Sequence, residues 1–132
     1  MYGFGVTIDG PFDEAVTRVT GALKEEGFGV LADIDVQATL KARLGVERRG
    51  YRILGACNPP LAHRALEADP DLGLLLPCNV AVREEEDGRA WVGFMDPQAV
   101  LGLVDQPGIE AIATEVRAKL ERVRDSLREP AG

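Results

Sequence analysis

Hydrophobic and polar residues alternate in several short segments of the chain, a pattern typical of strands with one buried face. Val6 and Ile8 predict a short first strand, residues 28–36 a second and residues 51–57 a third. Residues 72–82 are almost continuously apolar and predict the most buried strand. Asp87-Gly88 predicts a hairpin turn, after which Ala90, Val92 and Phe94 return antiparallel.

Apolar residues spaced three or four apart predict helices between these strands. The predicted helices are a first over residues 11–26, a short one carrying Val36, Leu40 and Leu44, a third after Asn58-Pro59, a helical turn at Asp96-Pro97 and a long amphipathic helix over residues 109–128. With 132 residues we expect one domain. The order of elements predicts an α+β fold, with helices on one face of a mainly antiparallel sheet.

Two Cys-Asn dipeptides hold every cysteine and asparagine of the chain: Cys57-Asn58 and Cys78-Asn79. Each dipeptide adjoins a proline and an apolar segment. Counting along the predicted strands places both cysteines on inward faces. We therefore predict that Cys57, Asn58, Cys78 and Asn79 line one cleft that binds a small ligand.

Two other interpretations of these residues stay open. Cys57 directly precedes a predicted helix N-terminus, which lowers the pKa of a thiol, so Cys57 would be the more reactive cysteine of a redox protein or enzyme. Alternatively the role is purely structural, because free cysteines pack as small hydrophobic residues, while Asn58 caps a helix and Asn79 bonds to a loop. We assign no catalytic residue and no cofactor.

No metal ligand is assigned either. The chain has no Cys-x-x-Cys, and its single histidine, His63, is expected to be a solvated helix residue. Two thiols alone would suit a soft ion such as Cu(I) better than zinc. Asp33 and Asp35 share a strand face, where we expect them to be solvated.

Net charge and segment lengths restrict the partners. The formal charge of −7 disfavours nucleic acid, because a polyanion is repelled on average. The longest apolar stretch is too short to span a membrane, and the N-terminus lacks a secretory pattern. We expect a cytoplasmic protein with free thiols.

Trp91 lies opposite the face of Ala90, Val92 and Phe94, where it would suit a dimer interface, unless it packs under the last helix.

Several segments together resemble a family of small bacterial and archaeal proteins, the domain of unknown function DUF302. The residues that carry the resemblance are Gly27-Phe28-Gly29-Val30 with Asp33-Ile34, Tyr51 to Pro59 including Gly-Ala-Cys-Asn-Pro, Ala65-Leu66 to Asp69-Pro70, and Gly73 to Val80 including Leu-Pro-Cys-Asn-Val. The resemblance covers nearly the whole chain. It implies an α+β fold with a TATA-binding-protein-like topology and a homodimer, and it implies no established reaction.

Overall fold

A five-stranded antiparallel sheet forms the centre of the computed structural model, which describes residues 1–128. The strands are β1 (Gly3–Ile8), β2 (Gly29–Asp35), β3 (Tyr51–Cys57), β4 (Cys78–Glu84) and β5 (Ala90–Met95). Their spatial order is β1-β5-β4-β3-β2, so β1 and β2 are the two edges. The β4–β5 hairpin turns at Gly88, whose φ of 86° is the conformation that Asp87-Gly88 predicts.

Five α-helices connect or follow the strands. They are α1 (Phe12–Glu25), α2 (Val36–Leu44), α3 (Pro59–Ala68), α4 (Pro97–Leu101) and α5 (Ile109–Arg128). Apart from the short helices, the chain runs strand, helix, four strands and a long final helix. This is the topology that the resemblance implies. Within residues 1–128 no helix is long and apolar enough to cross a membrane.

One face of the sheet carries the core. Leu54, Val80, Val82 and Val92 are fully buried there, against the apolar stripes of α1 and α5. The stripe of α5 contributes Ile109, Ile112, Ala113, Val116, Leu120, Val123 and Leu127. The predicted α+β architecture, with helices on one face of an antiparallel sheet, is confirmed.

Trp91 lies on the opposite, open face of the sheet, and so does not pack under α5. A Cβ atom built on Gly93 would come 2.1 Å from the Trp91 ring, and one on Gly5 would come 2.8 Å from it. The indole therefore lies across both glycines, and the Arg83 guanidinium stacks over it at 4.2 Å from the ring centroid. Its suitability for a dimer interface stays a prediction.

The prediction of one long strand over residues 72–82 is wrong. Residues Pro70–Leu75 form a 3-10 helix, and β4 begins only at Cys78. The Asp69 carboxylate accepts a hydrogen bond from the Asp71 N–H at 3.0 Å and so caps this helix. An apolar run of this length does not distinguish a strand from a short helix, and Pro77 cannot donate to a sheet ladder.

The two carboxylates of β2 are engaged locally. Asp33 forms an ion pair with Arg52 of the neighbouring strand, and this contact lowers the pKa of Asp33. Asp35 ends β2 and caps α2, because its carboxylate accepts from the Ala38 N–H at 2.9 Å. Both side chains therefore have structural partners, although both residues are exposed.

Candidate functional site

An apolar cavity of about 420 Å³ lies at the end of the sheet where β3 finishes and β4 starts. Its walls come from β2, the ends of β3 and β4, the inner face of α3, the end of the 3-10 helix and residues of α4 and α5. The polar side chains that line it are those of Cys57, Asn58 and Cys78. No charged side chain of the described residues lines this cavity. The site is therefore suited to apolar rather than ionic groups.

Sheet register brings the two cysteines to this end of the sheet but places them on different faces. Cys78 pairs with Ala56 and continues the buried row of Val80 and Val82. Cys57 follows Ala56, so by alternation it belongs to the open face. The prediction that both cysteines face inward is wrong for Cys57, because the large buried side chain of β3 is Leu54, which shares its face with Ala56, whereas Ile53 and Cys57 are only half-buried. Cys57 nevertheless lines the cavity, as the last residue of β3.

Burial controls the chemistry of Cys78. This side chain is 8% exposed, and burial raises the pKa of its thiol to about 11, with a smaller contribution from the nearby Cys57. Desolvation disfavours the thiolate, so Cys78 stays protonated at neutral pH. Cys57 is only half-buried. Of the two thiols, Cys57 is the one that solvent reaches.

Asn58 connects two helices rather than capping one with its side chain. It occupies the N-cap position of α3, but its side chain makes no capping hydrogen bond. Instead the nearly buried Nδ2 donates to the Glu26 carbonyl oxygen at 3.2 Å, just beyond α1. The predicted side-chain cap is therefore wrong. The chain turns at Gly27 so close to Asn58 that a Cβ there would lie 3.0 Å from Nδ2.

Asn79 does not line the cavity. It is exposed and lies in a separate groove on the open face of the sheet, together with Tyr51, Ala81 and Trp91. Adjacent residues of a strand point to opposite faces, so burying Cys78 places Asn79 on the other side. Of the four predicted residues, Cys57, Asn58 and Cys78 line one cavity and Asn79 lies outside it. Ligand binding by these residues stays a prediction.

Most of the cavity wall was not identified from the sequence as part of a site. Leu61 and Ala65 of α3, and Ile112 and Val116 of α5, line it with the same apolar stripes that predict core packing. Leu31 also lines it and is 73% exposed, which places an apolar side chain at its opening.

Among residues 1–128, no group of three His, Cys, Asp or Glu residues is arranged to hold a metal ion. His63 is exposed on α3.

Comparisons with known proteins agree with this description. An uncharacterised conserved protein of the DUF302 type from Bacillus stearothermophilus has a crystal structure similar to this one, with a TM-score of 0.88 and 30% identity over 97% of this chain and 99% of the other. An uncharacterised protein of Aquifex aeolicus (strain VF5) is 27% identical over 93 residues, which are 70% of this chain. The matched part spans 58% of that relative's length. The sequence profile of the domain of unknown function DUF302 matches residues 4–127, and the chain therefore belongs to the DUF302 family.

Proposed function

We propose that this domain binds or senses a small, neutral, apolar ligand in the cavity lined by Cys57, Asn58 and Cys78. The observation that carries the proposal is an open cavity of about 420 Å³ whose wall is apolar apart from two thiols and one amide. This volume lies in the range of small-molecule sites, roughly 300–1,000 Å³.

The polar groups of the cavity favour a neutral ligand. Cys78 is a neutral thiol at neutral pH, and the Asn58 amide already donates to Glu26. A charged ligand would lose its hydration without gaining a partner of opposite charge. An apolar ligand instead gains the burial of its own surface and contacts with polarisable sulfur atoms.

Displacement of a fluorescent probe tests this proposal. We expect the neutral dye 1-aminoanthracene to bind with a rise in fluorescence and 1-octanol to displace it. Ala62→Phe places a ring in the cavity wall and should weaken dye binding about tenfold or more. Ala118→Phe, at an exposed position of α5 outside the cavity, is the matched control and should bind as the wild type does. Equal binding by both variants would reject the proposal.

A second candidate function is thiol chemistry at Cys57, as a redox protein or enzyme. Its support is the position of Cys57, half-exposed at the cavity and one residue before the N-cap of α3. Iodoacetamide should then label Cys57 in the native protein, with Cys78 labelled only after unfolding. Cys57→Ser should lose the native label and Cys78→Ser should keep it. Protection of both thiols in native wild-type protein would count against this candidate.

We also propose that the domain is a homodimer in the cytoplasm, where its two free thiols would stay reduced.

A purely structural or assembly role is the third candidate. The Asn58–Glu26 hydrogen bond supports it, because that contact accounts for Asn58 without any ligand. Co-purification of a ligand, detected by native mass spectrometry and lost in Ala62→Phe, would distinguish the first candidate from the third.

A further inference from the structure

Asn58 has a side-chain oxygen that no donor within residues 1–128 uses. Its Nδ2 donates to the Glu26 carbonyl oxygen at 3.2 Å, and this contact fixes the orientation of the amide, because an oxygen in place of Nδ2 would repel the carbonyl. The Oδ1 atom accepts no hydrogen bond from the described residues. Asn58 is only 9% exposed, so an acceptor without a donor is unusual at this position.

The start of α3 explains why Oδ1 has no partner. An N-cap side chain ordinarily accepts from the N–H of the second or third helical residue. Pro60, the second residue, has no N–H, and Asn58 makes no capping bond to the third, Leu61. The Leu61 N–H itself has no partner inside the helix and no other backbone acceptor in the described part of the chain. One acceptor and one donor are therefore unused at the start of α3.

Asn58 and Leu61 lie at the boundary between the apolar cavity and a second, charged groove. Both residues line the cavity, and both also line the groove beside it. Among the described residues no sealed side-chain oxygen or nitrogen lacks a partner, so the unpartnered Oδ1 is open to one of these two spaces. A molecule whose apolar body fills the cavity would therefore present a polar end to Oδ1 at this boundary.

We propose that the ligand of the cavity is a neutral alcohol or phenol whose hydroxyl group donates to Asn58 Oδ1. This inference rests on the binding function proposed above and names its ligand class. A hydroxyl is the smallest neutral group that both donates and accepts, so it matches the unused acceptor and the unused donor together. A hydrocarbon or an ether would leave Oδ1 without a donor. An ammonium group would lose its hydration without gaining a carboxylate in the cavity.

The charges beside the boundary favour a hydroxyl over a carboxylate. The groove carries three carboxylates against two cations, Arg64 and Lys119. Arg64 is already paired with Glu115 at 3.0 Å. A ligand carboxylate would add negative charge there, and it has no proton to donate to Oδ1. Long-chain carboxylates are therefore the poorer match for this site.

Two isomeric ligands test the inference by displacement of 1-aminoanthracene. 1-Octanol and 1-methoxyheptane contain the same atoms, but only the alcohol has an O–H donor, and the ratio of their Kd values does not depend on the affinity of the dye. We expect wild-type protein to prefer the alcohol, and Asn58→Ala to lower this preference about fivefold or more. Asn79→Ala, on the open face outside the cavity, is the matched control and should keep the wild-type preference. Octanoate should displace the dye least.

If Asn58→Ala fails to fold, nuclear magnetic resonance of the wild type decides. Asn58 and Asn79 are the only asparagines of the chain, so Asn79→Ala identifies both sets of side-chain amide signals. 1-Octanol should shift the signals of Asn58, and 1-methoxyheptane should shift them less. The Asn79 signals should not move with either ligand.

The outcomes separate the two proposals. No displacement of the dye by either isomer would overturn the binding function and this inference with it. Displacement by both isomers, with the same preference in wild type and Asn58→Ala, would overturn the hydroxyl contact and leave the cavity as a binding site. Equal shifts of the Asn58 signals with both isomers, or octanoate as effective as 1-octanol, would likewise reject the ligand class alone.

Discussion

Cys57 and Cys78 show how one step along a strand changes the chemistry of a side chain. Cys78 continues the buried row of β4, and desolvation holds its thiol in the neutral form. Cys57 ends β3 one residue beyond the buried Ala56 and stays half-exposed. Both cysteines are followed by an asparagine, yet their environments differ. Cys57 is the thiol that is available to a reagent in solution.

The raised pKa of Cys78 predicts a loss of stability in alkali. The thiol has a pKa of about 11 in the folded protein, against an ordinary value of 9.0. The unfolded chain loses this proton at lower pH than the folded protein does, so the contribution is intact below pH 9 and is lost as pH rises to 11. A difference of about two units between these pKa values corresponds to roughly 3 kcal/mol of the free energy of unfolding.

Urea unfolding of wild-type and Cys78→Ala protein at several pH values measures this contribution. Other groups titrate in the same range, so the informative quantity is the difference between the two proteins, which should change between pH 9 and 11. Cys57→Ala removes only the smaller of the two causes of the raised pKa of Cys78 and should keep most of the wild-type pH dependence. Parallel curves for wild type and Cys78→Ala would contradict the prediction.

At the scale of elements, the end of α1 and the start of α3 are joined by one side chain. The Asn58 amide donates to the Glu26 carbonyl, and this bond fixes the chain on one side of the cavity. The turn from α1 into β2 needs Gly27, whose φ is 86°. Asn58 thus positions the helix that forms the cavity wall.

Asn58→Ala should lower the free energy of unfolding by about 1–3 kcal/mol, because it leaves the part-buried carbonyl of Glu26 without its donor. Asn79→Ala is the matched control at an exposed position of the open face, and it should change stability by less than about 0.5 kcal/mol. Chemical denaturation measures both. Similar losses in the two variants would show that the Asn58–Glu26 bond is not the cause.

The open face gives a second prediction for the elements. Trp91 is the single tryptophan, and its ring occupies the space above Gly93. Gly93→Ala should lift the indole off the sheet, shifting its fluorescence to longer wavelength and increasing quenching by acrylamide. Gly21→Ala, which meets no neighbour on α1, should leave the emission unchanged. Identical spectra for the two variants would show that Trp91 does not rest on Gly93.

For the whole molecule, α5 is the element that packs on parts of the chain that are distant from it in sequence. It packs on α1, on α3 and on the edge strand β1. Arg117 of α5 forms an ion pair with Asp96, which caps α4, and its guanidinium lies 4.9 Å from the centroid of the Phe4 ring on β1. One side chain therefore links three parts of the chain that are distant in sequence.

Arg117→Ala should cost about 1–3 kcal/mol of stability, because Asp96 is largely covered and loses its charged partner. Arg64→Ala removes a second ion pair of α5, with Glu115 at 3.0 Å, in which both side chains are about half-exposed. That change should cost less than about 1 kcal/mol, since water competes for exposed pairs. Thermal unfolding compares the two, and equal losses would contradict the assignment.

Periodicity determined much of the fold from the sequence alone. The stripes of α1 and α5 and the alternation in β5 predict elements that the structure contains, because burying one face imposes a repeat of 3.6 or 2 residues. Residues 72–76 carry no such repeat, and there the prediction failed. Three of the four residues in the duplicated Cys-Asn dipeptides line the cavity.

Tertiary structure alone decided the rest. Strand order and register, which depend on contacts between distant segments, set Ala56 opposite Cys78, turned Asn79 to the open face and left Cys57 at the edge of the cavity. The cavity exists because α3, α5 and the 3-10 helix do not close completely over the end of the sheet, and no local pattern records where packing stays incomplete. The sequence by itself specified which faces are apolar; the three-dimensional arrangement determined which of those faces meet and which remain open.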